Sequence, residues 1–171
     1  GVLPYLTRME PHAQSDSAFR GKDGPMYITR YKDRDPLSDG FIDAARQAGV
    51  PGTTDYNGPR FEGVDYLQYN TRRGRRRHAA DAYRLPAMKR TNLVVESGAL
   101  AQRILIEGRK AVGLVYRKGS EEHTVRARRE VLLAAGAIQS PQLLELSGIG
   151  QREVLSRAGV NVVHTLPGVG E

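Results

Sequence analysis

The sequence predicts a mixed fold, α+β or α/β, and three observations carry that prediction. Residues 130–150 run as a short apolar strand, a tight glycine turn and a helix. Residues 93–127 alternate short apolar runs with polar, glycine-containing turns, the pattern of a small antiparallel meander. Residues 36–48 carry Leu37, Phe41, Ala44, Ala45 and Ala48 at helical spacing, which predicts an amphipathic helix closed by Gly49.

In chain order, residues 2–10 place Val2, Leu3, Leu6 and Met9 at the spacing of the last turns of a helix. Residues 11–24 are polar and read as a surface loop, with His12 as an exposed loop histidine rather than a ligand. Residues 25–31 are rich in aromatic and β-branched side chains and predict a strand. After the helix at 36–48, residues 51–59 form a turn-rich loop, and residues 64–70 predict a second, half-buried strand. An arginine-rich turn follows. Residues 79–89 then predict a short helix with Tyr83 and Met88 inward, kinked or ended by Pro86.

The meander is expected as strands at 93–97, 99–106, 111–117 and 123–127. Residues 131–133 are too short for a helix and predict a buried strand. Ser140 and Pro141 predict the start of the following helix, since the hydroxyl can accept from an orphan N–H and proline loses nothing at the first helical position. Leu143, Leu144 and Leu146 form its apolar stripe, and Gly148 is its left-handed cap. A second helix at 152–158, capped by Gly159, and a last strand at 160–164 complete the chain.

Composition bounds the function. A length of 171 residues suits one domain or one and a fraction, and 39% hydrophobic residues with 19 glycines suit a globular, loop-rich protein. The absence of cysteine excludes disulfides, thiolate metal sites and a cysteine nucleophile. No apolar run approaches the roughly 20 residues a membrane span needs. The chain begins Gly-Val-Leu-Pro and ends Pro-Gly-Val-Gly-Glu, and both ends read as cut, so an internal fragment of a longer protein is expected. Of the net charge of +7, Arg72, Arg73, Arg75, Arg76 and Arg77 supply +5, leaving +2 elsewhere. Such a tract suits either polyanion binding or a solvated basic turn. It lacks interleaved aromatics for base stacking, which favours the solvated turn over nucleic acid.

The stretch Gly136-Ala-Ile-Gln-Ser-Pro-Gln-Leu-Leu-Glu-Leu-Ser-Gly-Ile-Gly150 resembles the second signature of the glucose–methanol–choline (GMC) oxidoreductases: a small pair, Ser/Thr-Pro, two aliphatics and Ser-Gly-aliphatic-Gly. Gly24-Pro-Met-Tyr-Ile-Thr-Arg30, Asp55-Tyr-Asn-Gly58, Glu62-Gly63, Asn92-Leu-Val-Val-Glu-Ser-Gly-Ala and Leu166-Pro-Gly-Val-Gly-Glu171 are similar to stretches of that family in the same order. The likeness covers nearly the whole chain, and its texture is that of the choline dehydrogenase-like branch.

The resemblance implies an FAD-binding domain interleaved with an antiparallel-sheet substrate domain, with residues 1–92 a substrate-domain portion and 93–171 an FAD-domain portion. It implies FAD contacts through the backbone of Ala101, where relatives commonly carry Val, and through the small-residue turn Ala134, Ala135 and Gly136. His78 stands where relatives carry Ser or Thr; it lacks an evident carboxylate neighbour in sequence, and a local structural role is expected of it. No Gly-x-Gly-x-x-Gly follows a strand, so the main pyrophosphate grip of FAD is missing from these residues; His123 and His164 do not match the family's catalytic motif, and no catalytic residue is assigned to this chain.

The implied activity is FAD-dependent oxidation of choline or another primary alcohol by hydride transfer to the flavin. The electron acceptor is open between O2 and another carrier, with the dehydrogenase texture favouring the latter. These residues alone are expected to be inactive and to hold FAD weakly. The expected location is the cytoplasm or the periphery of the inner membrane. The alternatives are a non-catalytic module binding polyanions through residues 72–77, and a scaffold domain with no ligand.

Overall fold

The structure, a computed structural model, describes residues 1–12, 18–30 and 32–171. Part of the loop predicted at 11–24 and the last residue of the strand predicted at 25–31 therefore lie outside the described residues. The chain divides into two compact units, Gly1–Val94 and Val95–Glu171.

The first unit opens with helix α1 (Leu3–Met9). Strand β1 (Thr29–Arg30) pairs antiparallel with β2 (Gln68–Tyr69), so the two predicted strands shrink to two residues each. The rest of the second one is taken by the 51–53 loop: the Val64 N–H donates to Pro51 O and the Thr53 N–H to Val64 O. Helix α2 (Pro36–Gln47) is capped by Asp35, whose carboxylate accepts from the N–H groups of Leu37 and Ser38, and Pro36 sits where its missing N–H costs nothing.

The side that α2 turns inward differs from the predicted one. Leu37 is 84% and Phe41 72% exposed, whereas Ile42 is buried. The inward side is held by polar contacts instead. The Tyr66 hydroxyl donates to Asp39 Oδ1 at 2.9 Å and lies 3.2 Å from the Asp35 N–H that donates to it.

The arginine-rich turn is a hairpin of β3 (Thr71–Arg72) and β4 (Arg75–Arg76). The predicted helix at 79–89 is a π turn over Ala80–Arg84 followed by α3 (Leu85–Ala87). The Leu85 N–H bonds Ala80 O five residues back, immediately before Pro86, which has no N–H to continue an α ladder. Ala82 is the buried residue there; Tyr83 and Met88, predicted inward, are exposed.

Arg20 ties this unit together. It is buried, and its Nη1 donates to both Glu10 oxygens at 2.8 and 3.0 Å. Its Nε donates to Asp55 Oδ2 at 2.8 Å, and its Nη2 to Gln68 Oε1 at 2.6 Å and to Asp55 Oδ1. One guanidinium thus joins the end of α1, the 51–59 loop and β2. His12 is also buried, at 2% exposure, and not an exposed loop residue as expected: its N–H donates to Gly21 O and it bridges to Ile28. Neither of its ring nitrogens has a partner among the described residues.

The second unit is built on an antiparallel meander of β5 (Ala99–Glu107), β6 (Lys110–Lys118) and β7 (Glu121–Arg126) in that order. The expected strand at 93–97 is absent; Val94 is 82% exposed. The core gathers Ile104, Val115, Leu143 and Leu155.

The strand expected at 131–133 is not formed either. The segment joins no ladder among the described residues, and Leu132 is 82% exposed. Helix α4 (Gly136–Leu146) begins five residues before the predicted first helical position, Pro141, and carries that proline inside it. Pro141 costs one bond, to Ala137 O, and Ala137 lies in the exposed first turn where water can replace it. The Ser140 hydroxyl accepts from the Ala135 N–H at 3.1 Å.

The far end of α4 is pinned to the sheet. Ser147 is buried; its Oγ accepts from the Ile104 N–H at 2.7 Å and donates to Leu143 O at 2.5 Å. Ser147→Ala leaves that strand N–H unpaired inside the protein, and a loss of about 1–3 kcal/mol in denaturant unfolding is expected. Beyond it, β8 (Ile149–Gly150) pairs in parallel with β9 (His164–Thr165) across helix α5 (Arg152–Arg157), so the strand expected at 160–164 is shorter and later.

Candidate cofactor site

The sequence-predicted site residues all fall in the second unit. Ala134, Ala135 and Gly136 form an exposed corner entering α4. Gly136 has φ +90°, and a Cβ placed on it would meet nothing within 4 Å, so the space beside the main chain is open. Ala135, at the N-cap, offers no side-chain cap, which leaves the N-terminal N–H groups of this eleven-residue helix without a side-chain acceptor there. The helix dipole makes the same end favourable for negative charge. Ile138 and Leu132, 83% and 82% exposed, flank the corner with apolar surface.

Ala101 lies exposed on β5, opposite Tyr116, where the ladder register shifts before Arg103. Among the described residues β5 is an edge strand, and no strand pairs with its outer backbone groups, of which the Ile104 N–H is taken by Ser147. Together these features suit a ligand with an anionic part and a flat apolar part: small side chains, accessible main chain and a positive helix end.

The histidines take other roles. His78 is a partly exposed turn residue whose Nδ1 lies 3.2 Å from Asp81 Oδ2; its backbone N–H also approaches that carboxylate at 3.4 Å. The carboxylate neighbour that the sequence did not reveal is therefore Asp81, three residues on, and the pair closes the turn entering Ala80–Arg84. His123 stacks on Tyr116 with ring centroids 5.1 Å apart. His164 pairs with Ile149 in the short parallel ladder. Among the described residues no group of three or more His, Asp or Glu side chains is placed to hold a metal ion, and no helix is long and apolar enough to cross a membrane.

The second unit thus joins a meander to a helix whose open start follows a small-residue corner, a geometry with room for a nucleotide at the helix start. The chain belongs to the GMC oxidoreductase family, whose family model matches residues 1–171. It is 45% identical to the mitochondrial choline dehydrogenase of Homo sapiens over 99% of this chain, and spans 28% of that protein's length. Among solved structures it is similar to pyridoxine 4-oxidase from Mesorbium loti, at 35% identity and a TM-score of 0.90, over 97% of this chain and 33% of that one. It is also similar to an FAD-dependent oxidoreductase from Chaetomium thermophilum, at 29% identity and a TM-score of 0.86, over 98% of this chain and 32% of that one.

Proposed function

We propose that this chain is part of an FAD-dependent oxidoreductase that oxidises choline or another primary alcohol. The observation that carries the reading is the open corner at Ala134, Ala135 and Gly136, found in a chain that belongs to this family. The names of two relatives, a choline dehydrogenase and an FAD-dependent oxidoreductase, support it.

The residues present fit FAD. The corner lets a nucleotide lie against the main chain, and the uncapped start of α4 favours its anionic portion. Ala101 would meet the adenine end through its backbone, which tolerates a change of side chain. When bound, FAD supplies the acceptor for the hydride that leaves the alcohol carbon. The role of this chain's residues is to position and to shield: residues 93–171 furnish part of the cofactor cradle, and residues 1–92 part of the substrate side. The acid–base groups belong to other parts of the whole enzyme.

The test is anaerobic mixing of the full-length, FAD-loaded protein with a panel of alcohols. Choline or a related primary alcohol is expected to bleach the oxidised flavin band. Retention of that band with every alcohol, in protein that reoxidises normally after dithionite, contradicts the reading.

A further inference from the structure

We infer that the arginine hairpin is a binding site for a terminal phosphate or pyrophosphate group, built from residues other than those of the proposed flavin site. Arg72, Arg73, Arg75, Arg76 and Arg77 line an open cup of about 570 Å³ together with Asp81. Among the described residues none of the five guanidinium groups has a carboxylate within ion-pair distance. Asp81, the one acid on the rim, faces His78 at 3.2 Å. Five positive charges against one negative leave the cup at +4.

Three further observations separate this cup from an ordinary solvated turn. The Arg77 Nε is buried and has no hydrogen-bond partner, an unsatisfied donor in a residue that lines the cup. The Arg72 guanidinium is held over the Tyr27 ring, 4.2 Å from its centroid, so its ordering is paid in advance. Arg73 occupies the first position of the two-residue turn with φ +52°, followed by Gly74 at +73°. Asn or Gly is the favoured residue at such a position, and an arginine there costs about 1 kcal/mol. The chain thus carries a cation at the tip where a neutral residue would be more stable.

Phosphate chemistry fits this cup better than a carboxylate does. Every cation in it is arginine, whose planar fork matches phosphate oxygens two at a time. A phosphate dianion presents acceptors to several forks at once, whereas a carboxylate occupies one. The group can come from a soluble phosphate compound or from a lipid headgroup.

The experiment uses the full-length, FAD-loaded protein and two probes: inorganic pyrophosphate in titration calorimetry, and co-sedimentation with phosphatidylcholine vesicles containing phosphatidic acid. Saturable, salt-sensitive binding is expected to at least one probe, and the probe that binds identifies the source. Arg76→Gln is expected to weaken it about tenfold or more, the size of a lost charge-assisted contact. Arg76→Lys, which keeps the charge and loses the fork, weakens it as well. Arg73→Asn lowers affinity while leaving the thermal midpoint unchanged or higher, because it relieves the turn; a purely structural arginine predicts no such split. Absence of binding to both probes overturns the inference. So does equal binding by the Lys variant, or binding of duplex DNA without either probe, since each reports nonspecific charge.

Discussion

Arg20→Met is expected to lower the unfolding free energy by roughly 3–5 kcal/mol, the cost of removing one member of a buried ion pair and leaving the other. Arg20 is buried at 7% exposure, and Glu10 and Asp55 face it with little water around them. Without the guanidinium two carboxylates confront each other inside the first unit. By contrast, Arg34 pairs with Asp39 at the surface, where water and salt screen the pair and it contributes little. The decisive variant is the triple change Arg20→Met, Glu10→Gln, Asp55→Asn. It is expected to recover a large part of the loss, since no uncompensated charge remains. If the triple variant is no more stable than Arg20→Met, the destabilisation comes from lost packing and not from charge.

The same cluster fixes a pH dependence. The hydrogen bonds from Arg20, with a further one from Gln68, hold the Asp55 carboxyl well below the usual carboxylate range, against burial, which raises it. A group whose pKa falls on folding contributes stability that is fully present above its unfolded value, about 4, and is lost as pH drops toward its native value. The folded unit is therefore expected to weaken with acid below about pH 4. In Asp55→Asn that part of the acid slope disappears. Arg20, raised above its already high value chiefly by the bonds to Asp55, stays charged throughout this range.

Gly148→Ala is expected to cost roughly 3 kcal/mol, measured as a shift of the denaturant midpoint. Gly148 has φ +81°, and an added Cβ would lie 2.4 Å from Asn161 O and 2.8 Å from Val163 Cγ2. Its own carbonyl accepts from the N–H groups of Val163 and His164 at 2.8 and 3.0 Å. The residue thus closes α4 and seats the strand that follows α5 in one place. Alanine breaks both conditions at once, whereas Gly159→Ala, at φ +70° with open space around it, loses only the backbone preference. The difference between the two variants measures the close contact.

The meander was legible in sequence because strand alternation and turn glycines leave few registers open. Gly148 was legible because a left-handed cap has a local cause. The lack of a strand at 131–133 was not, because an apolar triplet looks the same whether or not another strand lies beside it. The inward side of α2 was misread for a related reason: spacing shows which side is apolar, not which side is covered, and Tyr66 with Asp35 and Asp39 decided the matter. The Arg20 cluster left no signal, since its partners lie 10, 35 and 48 residues away. Ser140 and Pro141 carried a true helix signal at the wrong position, as the exposed first turn of α4 tolerates the missing bond. The small residues at 134–136 were visible as a motif, and the structure adds that the corner they form is open.

The most direct measurement is the FAD affinity of full-length apoprotein carrying Ala134→Leu, set beside the unsubstituted protein. Ala134 is exposed and outside the helix, so the unfolding midpoint of the apoprotein should not move. If a nucleotide lies against that corner, the added side chain occupies its place and the dissociation constant rises about tenfold to a hundredfold. An unchanged FAD affinity with an unchanged midpoint contradicts the account.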